Sequence, residues 1–309
     1  MSILRLVFYW VVGIAHFGRY KYLYIMTIIG VLLVFIFRYL PLYGVTIAFK
    51  QFSFSRGISG SKWIGFDNFI NIFQNPYFFR IIRNTFLLGI MNTIWNFWPP
   101  ILFALLLNEI RNRHFKKIVQ TISYMPYFIA IVIIVGIMKD LFGNTGAINQ
   151  TIESFGGQKI GFLIEAEWFR PLFIGSDIWQ HLGYSSIIYL AVIASIDPCL
   201  YESSAVEGAG RFKQALYITI PCMTPTIIIM LIMATTNFVT VGFEKVYLMY
   251  SPTTYETADV LSTYIYRVGL KGGQMGLGAA VGLFESAIRI LFITTSNYLA
   301  RKFSDYSMW

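Results

Sequence analysis

Six stretches of this chain are apolar and long enough to cross a lipid bilayer, roughly 22–45, 84–107, 118–138, 171–195, 221–249 and 279–300. A helix needs about 20 residues to span about 30 Å of hydrocarbon. Lipid offers no partners to open backbone groups, so such stretches must close their own hydrogen bonds as helices. The expected fold is an all-α integral membrane protein of about six transmembrane helices. Composition agrees. Of 309 residues, 56% are hydrophobic and 13% charged, where a soluble domain carries about 25% charged residues.

The apolar stretch 4–15 is too short to span, and no small-residue cleavage site clearly follows it. Residues 1–21 are expected to be a cytoplasmic or interfacial segment, ahead of a six-helix transmembrane domain over 22–309. The formal net charge of +9 would suggest nucleic acid in a soluble protein. Here the basic residues lie between apolar stretches, which suits anchoring at anionic lipid and not nucleic-acid binding. With the N-terminus inside, the inner segments carry eleven Lys and Arg and the longer outer ones ten. The cluster Arg111, Arg113, Lys116 and Lys117 in one short connection decides the orientation, because the rule weights short loops. Both termini are then expected in the cytoplasm of a multi-pass cell-membrane protein.

Soluble-type chemistry finds little support. Cys199 and Cys222 form no CxxC pair, and His16, His114 and His181 are scattered. There is no HExxH, no GxSxG and no phosphate-binding loop. Glu165 and Glu167, at i and i+2, point to different sides of a helix. No catalytic residue and no metal site is expected.

The connection at about 197–221 is unusual. A link between two spans needs only a few residues, yet this one is about 25 long and patterned. Pro198 is suited to the first turn of a helix, where its missing N–H costs nothing. Gly208 and Gly210 interrupt the pattern after two to three turns. A second amphipathic stretch, 212–218, runs to Pro221. The segment reads as helix–turn–helix beneath the membrane.

Glu202, Gly208, Ile218 and Pro221 are spaced by six, ten and three. This pattern resembles the EAA loop of binding-protein-dependent ABC importer permeases of the MalF-like type: Glu-Ala-Ala, three residues, Gly, nine residues, then Ile-x-Leu-Pro. Departures are mild: Ser203 and Ser204 stand for the alanines, Glu207 for the usual Asp, and Ile220 for Leu. The resemblance extends over nearly the whole chain to the LplB-like subgroup, permeases for complex saccharides. It is carried by Tyr39-Leu40-Pro41-Leu42-Tyr43-Gly44, Gly65-Phe66-Asp67-Asn68-Phe69, Tyr255-Glu256-Thr257-Ala258-Asp259-Val260 and Ala280-Val281-Gly282-Leu283-Phe284.

The resemblance implies a permease that moves a saccharide, delivered by an extracellular solute-binding lipoprotein. It implies a second homologous permease, with a heterodimer expected, and two ATP-binding subunits. ATP and Mg²⁺ belong to those subunits, so no cofactor is expected on this chain. Glu202, Ser203, Ser204, Glu207, Gly208, Ala209, Phe212, Ile218 and Pro221 would then form the contact with the ATPase.

Polar groups inside spans are costly and mark function or internal pairing. Asn92, Trp95 and Asn96 in the second stretch, Tyr184 in the fourth, and Asn237 and Glu244 in the fifth are candidates for a substrate pathway. Asn237, Val241 and Glu244, at i, i+4 and i+7, would share a face of one helix. Glu285 and Arg289, at i and i+4 with the acid first, suit an internal ion pair. Pro99 and Pro100 predict a bend in the second span. An ion-coupled secondary transporter, the main rival, leaves the Gly-turned inner loop without a purpose. The other alternative is an ABC permease for a non-sugar solute.

Overall fold

The structure, a computed structural model, describes residues 20–235, 238 and 241–303. The expected segment 1–21 lies almost wholly outside the described residues. Two strands of two residues each, β1 (Lys50–Gln51) antiparallel to β2 (Lys62–Trp63), form the only sheet among them. The rest is helices and their connections.

The first, α1 (Tyr20–Phe49), loosens to a π turn at Phe35–Tyr39 and tightens to a 3-10 helix from Leu40. The cause is Pro41. It has no N–H for the carbonyl of Phe37 and its ring crowds that oxygen, so the turn before it widens. The apolar window of α1 buries nothing within the chain, which leaves its surface for lipid.

After α2 (Asp67–Gln74) comes α3 (Phe78–Glu109), which runs as one helix through Pro99 and Pro100. Along its length α3 serves three apolar clusters in turn. Phe78 and Ile81 pack with Leu261, Ala280 and Val281; Leu88 packs with Phe173, Val246 and Val260; Phe97 and Ala104 pack with Tyr189 and Met223. It is the central pillar, and its most extensive partner is α7 (Ala166–Ala194).

Two expected spans are divided. The stretch 118–138 is not a single helix. It comprises the end of α4 (Arg113–Tyr124), a 3-10 turn at Met125–Phe128, and most of α5 (Ile131–Phe142). Pro126 disfavours helix at the residue before it and removes a donor. The stretch 221–249 ends as helix at Thr235 in α9 (Arg211–Thr235), and a separate helix α10 (Phe243–Met249) follows Gly242. Phe238 between them lies close against α3. A Cβ on Gly89 would stand 1.8 Å from the Phe238 carbonyl oxygen, so only glycine admits that approach.

Further elements include α6 (Ala147–Ser154), α8 (Pro198–Val206), α11 (Leu261–Tyr264) and α12 (Met275–Phe303). The last covers the expected sixth stretch. Five helical units are long and apolar enough to span, and α7 with α8 makes a sixth. The α7–α8 pair bends by 69° at its break. At 29 residues α7 is long enough alone, about 43 Å; Asp177, Gln180 and His181 lower its apolar character.

Candidate functional site: a coupling segment and a polar cavity

The segment after α7 is built from local rules. Asp197 caps α8, its Oδ1 accepting from the Cys199 N–H at 2.9 Å, and Pro198 takes the first helical position. The helix stops at Gly208, with φ +82°. There the Ala209 N–H donates to the Ser204 carbonyl at 2.9 Å and the Gly208 N–H to the Ala205 carbonyl at 3.0 Å. That is a Schellman stop, which requires the left-handed residue that glycine supplies without strain. A Cβ there would meet nothing within 4 Å, so backbone conformation, not intramolecular crowding, explains the glycine.

From Arg211 the chain rises into α9 through a π turn at Ala215–Thr219. Pro221 deprives the Tyr217 carbonyl of its donor, as Pro41 does in α1. Gln214 pins the two arms together, donating to Ser204 Oγ at 3.0 Å and to the Tyr201 carbonyl at 3.2 Å. Tyr201 and Thr219 share a 2.9 Å hydroxyl contact, and Arg211 meets Glu109 Oε2 at 3.1 Å. Ser204 is thus a tie between the arms. Glu202, Ser203, Glu207 and Phe212 face outward, Ala209 and Ile218 are half-buried, and Pro221 is exposed at the base of α9. Val206 is 90% and Phe212 81% exposed. The arm thus carries exposed large apolar side chains beside exposed acids.

The second feature lies higher on α3 and α7. Lys245 on α10 is 4% exposed and donates to Asp177 Oδ1 at 3.0 Å and to the Phe173 carbonyl at 2.9 Å. Its ammonium lies 4.6 Å from the centre of the Phe173 ring. Asn92 Nδ2 donates to the other carboxylate oxygen of Asp177 at 3.1 Å, and Asn96 Nδ2 to Asn92 Oδ1 at 2.8 Å. His181 Nδ1 is 2.9 Å from the Asp177 carbonyl. This node separates two open cavities, of about 510 Å³ and about 610 Å³, and Asn92, Asp177 and His181 line both.

The sequence candidates divide accordingly. Asn92 and Asn96 line the first cavity, and Asn92 and Glu244 the second. Trp95 is 57% exposed and lines neither cavity. Tyr184 lines neither; it stacks on Tyr127 with ring centres 3.7 Å apart. Asn237 lies outside the described residues. Val241 and Glu244 do not share a helix, because α10 begins only at Phe243; Glu244 in its first turn lines the second cavity. Asp177 and His181 were missed. Asp177 was visible as a carboxylate within an apolar stretch, and the cost of such a group was the available signal. On α12, Arg289 Nη2 donates to the buried carboxylate of Glu285. Outside the spans, burial beside Tyr255 pushes the Tyr250 phenol up to about 12, so it remains a donor.

A helical membrane bundle with a Gly-turned arm at one end and a polar cavity within it has the form of a membrane transport protein. No family model matches the chain. Individual relatives do. The polygalacturonan/rhamnogalacturonan transport system permease protein YteP of Bacillus subtilis (strain 168) is 43% identical over 94% of this chain and 90% of its own length. Protein LplB of the same organism is 41% identical over 96% and 93%. A crystal structure of a bacterial alginate ABC transporter, in complex with an alginate pentasaccharide-bound periplasmic protein, contains a chain 39% identical to this one. It covers 95% of this chain and 99% of its own, with a TM-score of 0.88. The chain belongs to the binding-protein-dependent ABC transporter permeases, close to the LplB and YteP polysaccharide permeases. As such it is a multi-pass, non-catalytic membrane subunit, with ATP bound on the ATPase.

Proposed function

We propose that this chain forms half of the translocation pathway of an ABC importer for an oligosaccharide handed over by an external binding protein. The relatives support the solute class, since YteP is named for polygalacturonan and rhamnogalacturonan and the solved neighbour for alginate. The single observation that carries the reading within this chain is the Asn92–Asp177–His181 node between two open cavities. Amide, carboxylate and imidazole groups facing a space of that size suit sugar hydroxyls, which both donate and accept.

The assembly we infer has a second, homologous permease, two ATP-binding subunits and a solute-binding lipoprotein outside. Both termini lie in the cytoplasm, and α8 docks in a groove of an ATPase subunit. Glu202 pairs there with a basic residue, Phe212 and Val206 are covered, and ATP-driven closure moves the arm as a rigid body. Because Gln214 and Arg211 tie the arm to its neighbours, that motion reaches α3, α7 and α9 directly. Alternating access follows from tilting these helices about the node.

The test is uptake. Proteoliposomes holding both permeases and the ATPase, with the binding protein outside, should accumulate oligosaccharide only with ATP inside. Uptake by this chain alone, insensitive to vanadate and driven by an ion gradient, would overturn the reading.

A further inference from the structure

Five cations among the described residues have a carboxylate within 4 Å: Lys159, Arg211, Lys245, Arg267 and Arg289. Three arginines at one end of α3 and α7 do not. Arg80 and Arg83 stand three residues apart on α3, and therefore on one side of it. Arg170 on α7 donates to Asn84 Oδ1 at 3.0 Å; burial first, and then the like charge of Arg83, disfavour its charged form. The Nε atoms of Arg80 and Arg170 are buried with no hydrogen-bond partner. No carboxylate among the described residues forms an ion pair with any of the three. Like charges gathered this way, with donors unused, are unfavourable unless an anion completes them.

Their height is set by helix length. With 32 residues, α3 is about 48 Å long, against about 30 Å of hydrocarbon. Twenty residues counted back from the Glu109 end reach about Gly89, and the same count along α7 from Ala194 reaches about Gly175. The three arginines lie beyond both points, at the end of the bundle remote from α8. Beside Arg80, whose guanidinium carbon is 5.0 Å from the ring centre, Tyr77 is 59% exposed.

We infer that Arg80, Arg83 and Arg170 form a receiving site for the carboxylate of an acidic saccharide, a uronate, at the outer mouth of the permease. Guanidinium forks bind carboxylates in two-point fashion, and a tyrosine ring beside them offers the face on which a pyranose packs its C–H groups. A free phosphate has no use for the ring, and a neutral sugar has none for three cations. The inference rests on the saccharide reading and orientation proposed above, and it narrows the solute to an anionic one.

The assembled transporter with its binding protein, in proteoliposomes, tests this with trigalacturonate and its fully methyl-esterified form, which keeps length and hydroxyls but loses the charge. Because the same binding protein serves every variant, a change in preference between the two reports on the permease. Arg83 is exposed, so Arg83→Gln leaves the fold intact; Arg80→Gln and Arg80→Lys accompany it. The expected result is that each Gln variant lowers the preference for the acid about tenfold through KM, with kcat and uptake of the ester unchanged, and that Arg80→Lys keeps most of it. An unchanged preference, or equal loss for both sugars, overturns the inference. So does a preference that holds while bound phospholipid, the second permease or the unliganded binding protein is lost, which would assign the arginines to that partner. If the wild type takes up neither sugar, this inference fails together with the saccharide reading; uptake of both with unchanged preference defeats this inference alone.

Discussion

Lys245 and Asp177, 68 residues apart in sequence, meet at 3.0 Å where the broken fifth crossing returns against α7. The two partners are unequally buried, the side chain of Lys245 being 4% exposed and that of Asp177 18%. Removing the carboxylate strands a buried ammonium, whereas removing the ammonium leaves a carboxylate that lines two open cavities and still accepts from Asn92. Asp177→Asn should therefore cost more than Lys245→Met, toward the upper end of the roughly 3–5 kcal/mol for breaking a buried pair. The double variant should recover much of the loss. Melting temperatures of the detergent-solubilised transporter check the order, and equal losses from both single changes would contradict it.

Gly208 offers a separable test of conformation and contact. At φ +82° any L-residue with a Cβ is strained by about 1–2 kcal/mol. With nothing within 4 Å of that Cβ, Gly208→Ala and Gly208→Leu should lower stability to a similar extent. They should differ in co-purification of the ATPase, which Leu obstructs and Ala does not. If both keep the ATPase and transport at wild-type levels, the turn is not part of the docking surface.

Glu202 is exposed on α8 and makes no ion pair among the described residues. Glu202→Lys should insert normally yet lose about tenfold or more in sugar-stimulated ATP hydrolysis, the effect of reversing one charge in an interface. Lys213→Gln, a solvated charge nearby, should stay within about twofold. A charge reversal in the ATPase groove that restores Glu202→Lys would identify the partner residue.

The helix-internal pair Glu285–Arg289 joins a buried acid to a guanidinium 38% exposed. Glu285→Gln should lower stability, because it leaves the Arg289 guanidinium without its partner inside a span, and Glu285→Gln with Arg289→Gln should restore it. Thermal melts of the four combinations form the cycle. Full additivity would mean the contact contributes nothing.

Orientation is tested by labelling. With both Cys199 and Cys222 removed, a cysteine at the exposed Ser154 should react with an impermeant maleimide applied to intact cells, and one at Arg113 should not. Outside labelling at Arg113 would invert the bundle.

Much of this architecture was legible because its signals are local. A run of apolar residues needs no partner to declare itself. The helix stop at Gly208 depends on residues within one turn, as do the Asp197 cap and the i, i+4 contact of Glu285 with Arg289. The breaks were harder to see. Pro126 announced a possible division of the third crossing, but apolar residues on both sides masked it. In the fifth, nothing before Gly242 in the apolar pattern announces that a separate helix begins at Phe243. Of the face expected for Asn237, Val241 and Glu244, the last two are set apart because the helix of Glu244 starts at Phe243, and Asn237 lies outside the described residues. Trp95 and Tyr184 fell outside the cavity because a span has several apolar directions, and periodicity does not say which one faces the pathway.

By itself, the sequence determined that this chain lives in lipid, that its spans are helical, and that a stiff Gly-turned arm connects two of them. Each follows from hydrophobicity or backbone geometry within a few residues. Only the tertiary structure decided which polar groups meet. Asn92, Asp177, His181 and Lys245 come from three helices, and their pairing depends on how α3 and α7 pack and where α10 returns. Contact between residues so distant is set by the sum of many packing interactions, and no short stretch of sequence carries that sum.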